Sequence, residues 1–230
     1  EARVNNELTA VFSNFVHSTM ILTQKNFEGK VPEATQYTKE DLIVLEEITK
    51  YPDKIGNAIQ NYKFREAQQE LMNLARVGNK YLSDNEPWKN PDQERVKTIL
   101  NVSLQICANL SVLCQPFLPF TAEKLRTMLN ITQLNWNSAK STSLLSSGHV
   151  LKGPVMLFAK VDPELLKKQL EKLNRIRKEQ EEAIARAAAS PDKSNVKPVE
   201  PQKESTTFDD FAKMDIRIGT IIAADKMPKS

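Results

Sequence analysis

The sequence is poor in glycine, cysteine and histidine, with 6, 2 and 2 of them in 230 residues, and only 7% of it is aromatic. So few glycines argue against collagen and loop-rich β folds. Cys107 and Cys114 are too few for a disulfide framework or a four-thiolate zinc site, and His17 and His149 lie far apart, so neither a metal nor a Cys–His nucleophile is expected. The glycines are isolated and none precedes a Lys-Ser/Thr pair, which excludes a known phosphate-cradling loop. No nucleophile, base and orienting group can be picked out, so the chain alone is expected to have no catalytic residues. No run reads as long and apolar enough to span a bilayer, and residues 1–5 are no signal peptide. The chain opens with helical character, which suggests a fragment.

What is present is polar and helical. Charged residues make up 27% and hydrophobic ones 40%, and the net charge of +3 is spread over well-mixed signs, which permits a nucleic-acid partner without requiring one. Leu8, Val11, Phe12, Phe15 and Val16 recur at helical spacing and predict a first helix over 5–27. Thr38 is a natural cap for a second helix to about residue 61, which Pro52 should kink or split. A third helix from Phe64 carries Phe64, Ala67, Leu71, Leu74, Ala75, Gly78 and Leu82 on one face. Asn90 and Pro91 predict the start of a fourth helix, broken by Pro116 and Pro119, and a short fifth helix covers about 121–129. Within the fourth, Cys107 and Cys114 face one way and should pack as core residues in a reducing compartment.

Long amphipathic helices on short loops predict an all-α antiparallel bundle over 1–160. Residues 130–153 read as polar and irregular, and 155–158 as a strand or a segment packed back on the bundle. A charged helix over 161–189 has a narrow stripe of Leu165, Leu166, Leu170, Leu173, Ile176 and Ile184, expected to dock on the bundle rather than on a partner. Pro191, Pro198 and Pro201 among Lys, Glu and Ser mark 190–207 as a flexible linker. At 208–230, Met214, Ile216 and Ile218 alternate like a first strand, cut short.

Ser13-Asn14-Phe15-Val16-His17-Ser18, then Asn79-Lys80-Tyr81 and Asn85-Glu86-Pro87-Trp88-Lys89, resemble the anticodon-binding domain of methionyl-tRNA synthetases over about 1–160. The run from Phe208 to Gly219 resembles the start of the oligonucleotide-binding barrel that many bacterial members append. The resemblance implies a class I synthetase anticodon-binding bundle, with a C-terminal docking helix and a truncated strand tail. It also implies that Trp88 stacks on the first anticodon base, that Pro87 fixes the loop and touches the base, and that Asn14 faces the anticodon. Ser18 stands where the family has an arginine and His17 where it has an asparagine. The arginine's role is then lost, shared with His17 or taken by another helix. Arg76 and Lys80 are candidates for phosphate contacts, though the same charges could be a solvated face.

The implied partner is methionine tRNA, initiator and elongator, with no membrane and a cytoplasmic location. No cofactor or metal is expected in this chain. ATP, magnesium and, as a further candidate, zinc are implied for a catalytic domain lying upstream. Homodimerisation through the barrel is a candidate property of the parent, while this chain is expected to be monomeric. Lys226-Met227-Pro228-Lys229-Ser230 looks like the signature loop of class I catalytic domains, but it follows the bundle instead of preceding it and is read as coincidence. The competing reading is a noncatalytic helical interaction module using the 165–189 helix; an independent enzyme is disfavoured by the missing motifs.

Overall fold

The computed structural model describes residues 4–132, 134–189, 207, 209, 210 and 213. They divide between two compact units, Glu1–Glu171 and Lys172–Ser230.

In the first unit a π-wound segment, Val4–Ser13, runs into α1, Asn14–Phe27. The predicted long second helix is two: α2, Lys39–Ile48, and α3, Tyr51–Gln60, with Pro52 in the opening turn of α3, where its missing N–H costs nothing. Thr38 caps α2 in a reciprocal box with Asp41, each side chain accepting from the other's backbone N–H. Helix α4, Phe64–Asn85, buries the predicted stripe from Ala67 onward. Phe64 itself is half exposed, edge-on to Tyr62.

Helix α5, Gln93–Leu113, departs from prediction in two ways. Its cap is Asp92, not Asn90: the Asp92 carboxylate accepts from the N–H groups of Glu94 and Arg95 at 3.0 and 3.3 Å, while Asn90 accepts from Asp92. It is also buried on every side from Thr98 to Leu113, because α1, α2, α4, α6 (Pro119–Leu129) and a 3-10 turn, Trp136–Lys140, all pack on it. By length and composition this helix could cross a membrane, contrary to the sequence expectation, yet 94% of its most apolar window is buried in the protein as the core of the bundle. Cys107 and Cys114 lie in that core as free thiols.

The polar residues along α5 hold the loops. Asn101 donates to the Pro32 carbonyl at 2.7 Å. The Gln105 amide donates to the Leu145 carbonyl at 2.8 Å and accepts from the Leu145 N–H at 3.0 Å, copying one rung of a strand pair. Asn109 donates to Ser141 at 3.2 Å. Residues 130–153 are irregular, as the composition suggested, but they bury Ala139, Leu145 and Leu151, and Trp136 donates to the Pro52 carbonyl at 3.2 Å. An isolated antiparallel bridge joins Lys30 to Val150. Residues 155–158 form no strand; Leu157 is buried, and the rings of Phe12 and Phe158 meet at 5.9 Å.

Helix α7, Pro163–Ala189, begins in the first unit and continues in the second. Its apolar stripe is open: Leu166 and Leu170 in the first unit, then Leu173, Ile176 and Ile184, are 36 to 70% exposed. In the second unit Arg177 pairs with Glu181 one turn on, and Thr207 accepts from the Asp210 N–H at 3.2 Å. Most of the proposed linker, strand tail and coincidental loop lies outside the described residues.

Candidate nucleic-acid interface

The end of α4 and the start of α5 are joined by a tight turn. Glu86 leaves the helix in the left-handed region at φ 38°, and the Lys89 N–H returns to its carbonyl at 2.9 Å. Pro87 and Trp88 occupy the middle of this turn. Pro87 is buried, and its fixed φ stiffens the turn. Trp88 is 51% exposed. A tryptophan half open to solvent beside a buried proline is a flat apolar platform, the surface on which unpaired bases stack.

The ends of the turn are tied beneath it. Asp41, buried in the first turn of α2, accepts from both terminal nitrogens of Arg95, with Nη2 at 2.9 Å, and from the Tyr81 hydroxyl at 2.6 Å. Arg95 Nη2 also donates to Asn85 Oδ1 at 2.6 Å, and Asn85 donates back to the Tyr81 carbonyl. Burial alone would raise the Asp41 pKa, but hydrogen bonds from Arg95, Tyr81 and the Thr38 N–H outweigh it and hold the carboxyl below its ordinary 3.8. Burial, then the bond and charge of Asp41, push the Tyr81 phenol well above its usual range.

The second group of predicted residues lies on α1. Asn14 is exposed, and Ser18, one turn on along the same face, is half-buried. His17 is half-buried as well, with a buried Nδ1 that has no hydrogen-bond partner. This helix meets α4 where Phe15 lies against Gly78: a Cβ there would come within 2.5 Å of the ring, so only glycine permits the approach. Arg76 and Lys80 are exposed on α4 and already engaged, Arg76 with Glu7 at 3.4 Å and Asn73 at 2.8 Å, Lys80 with Asp84. Exposed pairs of this kind are weak enough to be exchanged for phosphate.

Pro87 and Trp88 thus share one turn, and Asn14, His17 and Ser18 share one helix. Sequence spacing does not bring Asp41, Asn85 and Arg95 together, because they lie on three different helices. The Thr38–Asp41 spacing of a capping box was the one available signal, and it speaks to the cap alone.

A family model for the anticodon binding domain of methionyl tRNA ligase matches residues 31–178. Across the whole chain the sequence is 48% identical to the methionine--tRNA ligase of Flavobacterium psychrophilum and 46% identical to that of Bacteroides fragilis, covering 32% of each. The chain therefore spans about a third of the length of these relatives. The free-state methionyl-tRNA synthetase of Mycobacterium tuberculosis superposes with a TM-score of 0.64 at 22% identity, over 70% of this chain and 34% of that one, a likeness of fold.

Proposed function

The chain belongs to the family of methionyl-tRNA ligase anticodon-binding domains, and on that premise we propose that it reads the anticodon loop of methionine tRNA as part of a larger ligase. The observation that carries this reading is Trp88, half exposed on a turn anchored by a buried proline. The first anticodon base stacks on the ring, and Pro87 sets the plane in which it does so. Asn14 hydrogen-bonds a base edge from α1, with His17 and Ser18 beside it where the family's arginine would act. Arg76 and Lys80 exchange their carboxylate partners for phosphate, adding affinity without sequence preference.

The larger protein, in this proposal, attaches methionine to initiator and elongator tRNA with ATP in the cytoplasm. Among the described residues no three His, Cys, Asp or Glu side chains group as metal ligands. In this proposal ATP, magnesium and, as a further candidate, zinc serve the catalytic remainder of the ligase. With this goes the division into a reader over 1–160 and a C-terminal helix over 161–189. The chain itself is a monomer in this proposal, and any dimerisation of the full ligase runs through the barrel whose opening the sequence from 208 resembles.

The test is titration of the chain with an RNA hairpin bearing the methionine anticodon and with one whose first anticodon cytosine is replaced. The parent chain should prefer the first hairpin. Trp88→Ala should lose about 1–3 kcal/mol of its binding and the preference with it. Equal discrimination by parent and variant would overturn the assignment.

A further inference from the structure

The turn bearing Trp88 is short and stiffened by Pro87, but few bonds within it hold it against the rest of the bundle. Its internal bonds are the Glu86–Lys89 backbone return and an exposed Lys89–Glu86 ion pair at 2.7 Å. The restraint comes from below. Asn85 is the last residue of α4, and Arg95 lies in the first turn of α5. Their 2.6 Å bond closes the whole Glu86–Asp92 segment into a ring. The Arg95 fork is in turn fixed on Asp41, which is itself anchored by Tyr81 and by the Thr38 cap. Asp41, Tyr81, Asn85 and Arg95 all lie on helices, so the segment hangs between two rigid posts tied to a third.

We propose that Arg95 and Asn85, held by Asp41, are positioning residues for base recognition: they set the attitude of Trp88 without touching RNA. The inference rests on the anticodon-reading function proposed above. Two features of Arg95 fit this role better than a phosphate contact. Its side chain is 18% exposed, and its terminal nitrogens are committed to Asp41 and Asn85. A lysine could keep the charge but not the fork that bonds both partners at once.

The experiment uses the full chain labelled with 5-fluorotryptophan, whose two fluorine resonances, from Trp88 and Trp136, are assigned with Trp88→Phe. Asn85→Ala and Arg95→Lys are compared with the parent by fluorine NMR, thermal unfolding and titration with the two hairpins. In both variants the Trp88 resonance should shift or broaden while the Trp136 resonance stays in place and unfolding remains cooperative. Preference for the methionine anticodon should fall by about fivefold or more, and adding Trp88→Ala should reduce it no further, as coupled residues require.

An unmoved Trp88 resonance with undiminished preference would overturn the proposal. So would equal weakening on both hairpins with a shallower salt dependence, which would make Arg95 a phosphate contact. Asn85→Ala leaves the Asp41–Arg95 pair whole; if it nonetheless unfolds the chain, the cluster is a general support of the bundle and the positioning role falls. Trp88→Ala alone distinguishes failure of the anticodon reading from failure of the positioning role. If it is silent, the anticodon reading itself fails, whereas if it is defective and Asn85→Ala is silent, only the positioning role fails.

Discussion

Asp41 is a carboxylate out of contact with water, with an arginine, a phenol and a backbone N–H as partners. Removing its charge leaves the Arg95 guanidinium partly buried and unpaired, so Asp41→Asn should cost about 3 kcal/mol in urea unfolding. The pH dependence follows from the sign of the shift. The folded pKa lies below the unfolded value near 3.8, so the stabilisation is complete above 3.8 and disappears as pH falls through the folded value. Urea midpoints recorded downward from neutral pH should show this loss in the parent and a flatter profile in Asp41→Asn. Gly78 acts at the same scale through the absence of an atom. Gly78→Ala should lower stability by about 1–2 kcal/mol net, the clash with Phe15 exceeding the gain in helix propensity. Phe15→Leu in the same chain should recover part of that loss, a non-additivity visible in thermal melts.

At the scale of elements, α5 organises the bundle, and its sequence explains how an all-round buried helix can carry polar residues. Asn101, Gln105 and Asn109 bond backbone groups of the loops packed on the helix, while Ser103 and Ser111 turn their hydroxyls back onto carbonyls of their own helix. Gln105 alone satisfies both backbone groups of Leu145. Gln105→Leu, close in size and apolar, should therefore destabilise the chain by about 2 kcal/mol and speed proteolytic cleavage within 141–150. The helix starts and breaks were legible in the sequence because caps and prolines act locally: Thr38, Pro52 and Pro119 stand where helices begin. The cap of α5 was misplaced because Asn90 and Asp92 both suit the position, and only the geometry shows the carboxylate taking two N–H groups.

For the whole molecule, the two thiols report on global opening. Cys107 and Cys114 are buried in α5 and just beyond it, and desolvation pushes the Cys114 thiol up to about 12. Neither should react with a thiol reagent near pH 8 in the folded chain, and both should react in urea, at rates that track the unfolding free energy. The sequence by itself determined the helices, their order, the exposed tryptophan turn and the family, since periodicity, caps and a contiguous Glu-Pro-Trp motif are properties of neighbouring residues. Only the tertiary structure decided that α5 is enclosed on all sides, that the irregular segment after α6 packs on it, and that Asp41 joins Arg95 beneath Trp88. These depend on contacts between residues distant in the chain. A polar side chain in a sequence gives no sign of whether its partner will be water or a buried charge brought in by another helix.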